Sequence, residues 1–362
     1  MIHSRARWLV ALVLAFGLLA AACGSDTKKG SGGGNSTSST TAAAKKLAAA
    51  TLNGSGATFP QAYYETVISE FKKPQPAVTV TYGGGGSGKG QSDLQAGLVQ
   101  WAGSDSTVKP EDMAKFKGPF LYFPTVAAPI TVSYNLAAVK NLQLSPDTLA
   151  GIFGGKITKW DDAAIKADNP KATLPADAIT VVHRADASGT TGNFTKYLVA
   201  AAPTAWTLGT DKVVAWPTGQ QAGTANGGVA QLVHDTAGAI GYVDYSDAKA
   251  AQLVFASIKN ADGKYVEPSV DSATAALAGA TLNADLTYNP LNAPGAKTYP
   301  ITAPTYILVY TAQADPAVKA ALQGLLAFIY ADGQTLAPTV DFAPLPAAIL
   351  GKAKAQIAKI GA

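Results

Sequence analysis

The chain has 362 residues, 48% of them hydrophobic and only 14% charged, which is enough apolar material for a large core, predicted to fall in two domains, and too much for a disordered polymer. Its formal charge of +4 is carried mainly by scattered lysines, so the broad basic patch needed to bind a nucleic-acid backbone is missing and no nucleic-acid partner is expected. A single cysteine excludes an internal disulfide, and with three histidines and no calcium-loop spacing of acids neither a metal nor another cofactor is expected.

Arg5 and Arg7 precede an apolar run from Trp8 to Leu19 and then Ala20, Ala21 and Ala22, the layout of an export signal over residues 1–22. The run is short for a membrane span. Cys23 follows directly, where a bacterial lipoprotein carries its acyl chains, and the segment is similar to a lipobox with Ala20 where Leu is commoner. Cys23 is therefore the predicted lipidation site; simple secretion with a free thiol is the alternative. Loss of residues 1–22 lowers the formal charge from +4 to +2. Residues 23–50 are Gly, Ser, Thr, Ala and Lys with almost no large apolar side chain and read as a flexible tether, with a root-mean-square reach of roughly 25–30 Å.

Beyond the tether, β-branched runs at residues 78–82, 130–134, 179–182, 239–243 and 306–310 predict strands. Helices are predicted at 61–73, 91–100, 146–153, 191–202 and 316–331, with Ser145 and Pro146 as N-cap and first residue of the third. The alternation predicts an α/β fold, without internal repeats.

Three segments before the middle of the chain invite an anion. Gly54-Ser55-Gly56-Ala57-Thr58-Phe59-Pro60 leads into the first helix, whose free N–H groups and Thr58 hydroxyl would point outward, although an ordinary turn has the same composition. Tyr82 to Gly90 leaves a strand with Ser87 near a helix N-terminus; Gly83 through Lys89 fits G-x-x-x-x-G-K, but Gly90 stands where a nucleotide-binding loop needs Ser or Thr, so a flexible loop is the stronger competitor. Asp105 lies in a turn of small residues and by itself reads as a cap for the next segment; its interest comes from combination with the rest.

Once the predicted export signal is gone, Arg184 is the only arginine, and it opens Arg184-Ala185-Asp186-Ala187-Ser188-Gly189-Thr190-Thr191. A guanidinium offers an oxyanion a planar fork that lysine cannot copy. A purely structural pair with Asp186 is the competing account. A Ser-His-acid hydrolase would have to use His183 or His234, and no G-x-S-x-G elbow surrounds Ser87 or Ser188. His183 should face away from Arg184 on its strand, and Trp160, Trp206 and Trp216 read as core.

Taken together, Gly-Ala-Thr-Phe-Pro at 56–60, Ser87, Asp105 and Arg-Ala-Asp-x-Ser-Gly-Thr at 184–190 resemble the phosphate-binding proteins of bacterial phosphate ABC transporters. The likeness runs from about Leu52 to the C-terminus and includes Phe123-Pro124-Thr125-Val126, residues 155–162, Trp216-Pro217-Thr218-Gly219 and residues 238–243. The resemblance implies a two-lobed periplasmic-binding-protein fold of class II, each lobe a mixed sheet flanked by helices with the ligand in the interlobe cleft. Residues 51–126 with 300–362 would form lobe I and residues 127–299 lobe II. It implies phosphate-binding roles for Thr58, Phe59, Ser87 and Asp105 from lobe I and for Arg184, Ser188, Gly189 and Thr190 from lobe II, with Asp186 behind the guanidinium.

Members of that family often carry a second Ser where this chain has Gly88, so one possible hydroxyl donor is missing, and a backbone N–H could replace it. The partners implied are inorganic phosphate, transmembrane permease subunits and, through the lipid anchor, a membrane; a monomer with no enzymatic activity is expected. The alternatives are a receptor for another tetrahedral oxyanion and a secreted phosphate-ester hydrolase. Asp105 makes sense beside an anion as acceptor for a ligand proton, which phosphate has near neutral pH and sulfate lacks.

Overall fold

A computed structural model describes residues 46–361. The predicted export signal, Cys23 and most of the tether lie outside the described residues. Strands and helices alternate in the order β1 (Ala50–Gly56), α1 (Gln61–Lys72), β2 (Val78–Gly84), α2 (Ser87–Ala96), β3 (Trp101–Ser104), β4 (Phe120–Tyr134), β5 (Gln143–Leu144), α3 (Pro146–Phe153) and α4 (Ala163–Asp168). They continue with β6 (Thr180–Arg184), α5 (Gly189–Ala201), β7 (Gln221–Gly223), α6 (Ala225–Asp235), β8 (Ala239–Asp244), α7 (Tyr245–Ala250), β9 (Val254–Phe255), β10 (Ser257–Lys259) and β11 (Tyr265–Val266). The last are α8 (Val270–Leu277), β12 (Thr302–Tyr310), α9 (Pro316–Ile329), α10 (Asp332–Leu336) and α11 (Ala347–Gln356).

Two mixed sheets share one strand. In the order β2-β1-β3-β12-β4, the first three are parallel and β12 is antiparallel to both neighbours. The 15-residue β4 pairs with β12 only as far as Pro129. From Ile130 to Tyr134 it pairs with β8 instead, and β6 and β7 extend that sheet in parallel. Each sheet is the centre of one lobe. The chain crosses between lobes at Pro129–Ile130 and again near Ile301, and the crossings are tied together by Ile130 N–H to the Ile301 carbonyl at 2.8 Å and the Tyr299 hydroxyl to the Ile130 carbonyl at 3.0 Å.

Local chemistry explains most element ends. Ser145 caps α3 by accepting from Thr148 N–H, with Pro146 in the first position. Asp315 and Pro316 start α9 in the same way, and Leu322, Leu325, Leu326 and Ile329 form its buried face. The helix expected at 91–100 occupies Ser87–Ala96 instead. Gly97 adopts the left-handed conformation (φ 75°), and the N–H groups of Gly97 and Leu98 fold back to the carbonyls of Leu94 and Asp93, a Schellman stop. At the other end, lobe packing tolerates Gly88 and Gly90 inside the first turns. The helix expected to reach 331 stops at Ile329.

The expected tether also ends early. Leu47 N–H donates to Gln75 Oε1 at 2.9 Å and the Leu47 side chain packs on the core, so the chain is held to the body four residues before position 51. Among the described residues, no helix is long and apolar enough to cross a membrane.

Candidate functional site

Three helices begin at the cleft, each directly after a strand or a tight turn that aims its N-terminus inward. The first-turn N–H groups of a helix have no intrahelical acceptor, so each start supplies donors. Ser87 is the first residue of α2, Gly189 and Thr190 are the first two of α5, and Asn226 is the second of α6. Ser188 caps α5, its hydroxyl accepting from Thr191 N–H at 3.2 Å. Thr58 and Phe59 lie in the turn before α1; Thr58 is buried, and the Phe59 ring is buried edge-on against Phe342.

Asp105 stands at the end of β3 and is only 2% exposed. Its Oδ1 accepts from the Thr305 hydroxyl at 2.7 Å, its Oδ2 faces the Ser87 hydroxyl at 3.4 Å, and its backbone N–H donates to Ser87 Oγ at 3.0 Å. Thr305 is directed there by an irregularity of register between Pro304 and Tyr306, the kind of bulge that re-aims a side chain and accommodates proline. Burial raises the Asp105 pKa to about 7, against the downward pull of Thr305, Arg184 and Ser87. Near neutral pH this carboxyl can therefore either accept or donate a proton.

Arg184, 4% exposed, is the last residue of β6. Asp186 takes its Nε–H at 2.8 Å and one Nη2–H, and Asn226 Oδ1 takes an Nη1–H at 2.6 Å. Asp186 is partly buried, which alone would raise its pKa, but its bonds to Arg184 outweigh that and hold it below the usual carboxylate range. The side-on fork of the guanidinium is thus spent on a carboxylate. The second Nη1–H leans toward Thr190 Oγ1 at 3.5 Å, and one Nη2–H is left to face the cleft.

The lobes touch across these groups. Gly88 N–H donates to the Ala187 carbonyl at 2.9 Å, Asn226 N–H to Thr58 Oγ1 at 3.3 Å, and Asn193 Nδ2 to the Asp105 carbonyl at 2.6 Å. A Cβ on Gly189 would lie 2.2 Å from Ser87 Oγ and 2.9 Å from Asp105 Oδ2, so only glycine permits this approach. Gly88 is equally constrained, since its Cβ would meet that of Ala187 at 2.4 Å. Gly88 N–H is committed to Ala187, so the option of a backbone donor replacing the missing serine is not open to that group. Lys109–Asp211 and Lys212–Gln91 bridge the rim of a cavity of about 140 Å³ beside Asp105, and Lys249–Asp341 (2.6 Å) bridges the lobes elsewhere.

Thr58, Ser87, Asp105, Arg184, Asp186, Ser188, Gly189 and Thr190 are thus brought to one cleft, with Phe59 in the turn beside it. Three partners escaped the sequence reading: Asn193, Asn226 and Thr305. Neither described histidine joins them. His183 stacks on Trp216 at 5.0 Å with its Nδ1 against the Arg184 carbonyl, and burial lowers its pKa; His234 pairs with Asp235 on the surface. Trp160 and Trp206 are buried. Among the described residues, no group of three or more His, Cys, Asp or Glu is arranged to hold a metal.

Two lobes sharing β4, with helix starts and one arginine facing across a cleft, define a binding protein of the periplasmic type, and residues 36–333 match the model of the PBP superfamily domain. Within it the chain belongs to the family of phosphate-binding proteins named PstS. It is 38% identical over 314 residues to the phosphate-binding protein PstS of Pasteurella multocida, covering 85% of this chain and 90% of that one. It is 34% identical over 351 residues to PstS3 of Mycobacterium bovis, covering 93% and 94%. Its fold matches the phosphate-binding protein of Stenotrophomonas maltophilia with a TM-score of 0.68 at 22% identity over 84% of this chain and 93% of that one. A periplasmic phosphate-binding protein solved with phosphate superposes with a TM-score of 0.71 at 24% identity over 85% and 94%.

Proposed function

We propose that this chain captures inorganic phosphate outside the cytoplasm, between its two lobes, and hands it to the transmembrane subunits of an ABC importer, acting as a monomer and without covalent chemistry. The observation that carries the reading is that a single arginine, already neutralised by Asp186, and a buried carboxyl with its pKa raised to about 7 face one cleft together with the hydroxyls and free N–H groups of three helix starts. A doubly charged anion can be held there by many hydrogen bonds without matching cations, and the carboxyl can accept the proton that phosphate carries. The names of the relatives support the same ligand. In this reading Thr58, Phe59, Ser87, Asp105, Arg184, Ser188, Gly189 and Thr190 bind phosphate, and closure is favoured because the ligand touches both lobes at once.

Calorimetric titration of the phosphate-free protein tests it. Phosphate should bind one per chain and sulfate far more weakly; equal affinities would instead make this a general oxyanion receptor. Turnover of a chromogenic phosphate ester would favour the hydrolase, which has no support from His183 or His234, neither of which hydrogen bonds to Ser87 or Ser188.

Anchoring belongs to the same proposal. If Cys23 is acylated, Cys23→Ser should move the protein from the membrane fraction to the soluble fraction while leaving phosphate affinity unchanged, because the tether separates anchor from cleft. A Ser variant that stays with the membranes would remove the lipid anchor from the picture.

A further inference from the structure

Asn226 is fully buried and bonded to three groups of the cleft at once. Its Oδ1 accepts from Arg184 Nη1 at 2.6 Å, its Nδ2 reaches Thr190 Oγ1 at 3.4 Å, and its backbone N–H donates across the lobes to Thr58 Oγ1 at 3.3 Å. The preceding Ala225 is held at φ 61°, in the left-handed region that alanine rarely adopts, with its N–H donating to Asp186 Oδ1 at 3.0 Å. A strained turn thus locks α6 onto both members of the Arg184–Asp186 pair.

The polarity of these bonds is decided by chemistry. Arginine has no acceptor, so the atom facing Nη1 must be the amide oxygen, which turns the amide nitrogen toward Thr190. Thr190 Oγ1 then faces two nitrogens, Asn226 Nδ2 and Arg184 Nη1, both of which only donate. Its lone pairs are engaged, and no described group accepts its proton. Thr58 Oγ1 accepts one bond, from Asn226 N–H, and no described group accepts its proton either.

We propose that Asn226 is a positioning residue of the cleft: it orients the Thr190 and Thr58 hydroxyls as donors toward a bound anion and fixes Arg184 without adding charge. The proposal rests on the phosphate reading above. Neutrality matters because Asp186 already balances Arg184. A carboxylate at 226 would bring a second negative charge to the guanidinium and would itself accept from Thr190, turning that proton away from the ligand.

Asn226→Asp changes almost no volume, which separates this role from packing. With the full chain at neutral pH, Asn226→Asp should lose phosphate affinity by about 100-fold and Asn226→Ser by about tenfold, the scale of one or two hydrogen bonds to charged groups. Both should unfold cooperatively like the parent. Because part of the effect runs through one hydroxyl, Asn226→Ser combined with Thr190→Val should bind more tightly than the product of the two single losses predicts. An Asn226→Asp variant that binds as the parent does would overturn the proposal, as would losses that simply multiply in the double variant. If Asn226→Ser does not fold, Asn226→Ala takes its place in the cycle. A parent that binds no phosphate at all would remove the underlying reading, and this proposal with it.

Discussion

Arg184→Lys should weaken phosphate binding by about 1–3 kcal/mol while leaving the fold intact. The geometry makes the reason specific. Asp186 engages two guanidinium nitrogens and Asn226 a third, and this three-point hold presents the remaining Nη2–H to the cleft in a fixed plane. An ammonium keeps the charge but cannot satisfy Asp186 and Asn226 while also reaching an anion. Asp186 would then be a carboxylate with reduced compensation beside the ligand. Calorimetry on the Lys variant, with thermal unfolding as the control for folding, measures the effect. Unchanged affinity would make Arg184 a structural partner of Asp186 and nothing more.

Asp105→Asn should shift selectivity more than affinity, raising sulfate relative to phosphate. The carboxylate repels a fully deprotonated anion, whereas an amide can donate to it. The pH dependence follows from the raised pKa. Above about 7 Asp105 is a carboxylate and discrimination is strongest; as pH falls through 7 it becomes a donor and the parent should approach the Asn variant measured at the same pH.

The same shift fixes a stability trend for the phosphate-free protein. A carboxyl whose folded pKa lies above its ordinary 3.8 contributes stability that is complete below that value and lost as pH rises through about 7. Relative to Asp105→Asn, the parent should therefore lose up to about 1.4 kcal/mol per pH unit across that window. Competition between the two anions, and unfolding at pH 4 to pH 8, read the two effects. A sulfate-to-phosphate ratio that does not rise in Asp105→Asn would leave Asp105 as a packing residue.

What the sequence disclosed and what it hid follow one physical line. Thr58, Ser87 and the 184–190 segment were legible because anion chemistry at a helix start is local: small residues, a hydroxyl and free N–H groups stand within a few positions of one another. Strands of β-branched residues were legible for the same reason. β1 was not, because Gly54-Ser55-Gly56 reads as a turn and becomes a strand only between β2 and β3. Thr305 lies 200 residues from the carboxylate it holds, and Asn193 lies 88 residues from the carbonyl it bonds. Nothing in the composition around them announces those partners. Two weak signals were present: Pro304 interrupts an otherwise apolar strand beside Thr305, and Gly223-Thr224-Ala225-Asn226-Gly227 repeats the pattern of a short polar turn opening a helix.

The topology also sets the order in which the chain can complete itself. Every strand of the sheet in lobe II lies between Ile130 and Phe255, so its partners are close in sequence and available early. Lobe I must wait. β12 is inserted between β3 and β4, inside its sheet, yet it is the last strand of the described residues. Until Thr302–Tyr310 arrives, β3 and the first half of β4 face each other across a missing strand, each with an unpaired edge. The long-range closure that finishes lobe I is entropically the slowest of the pairings. It is also the one that places Thr305 on Asp105, so the acidic side of the cleft comes into being only when the chain is nearly complete.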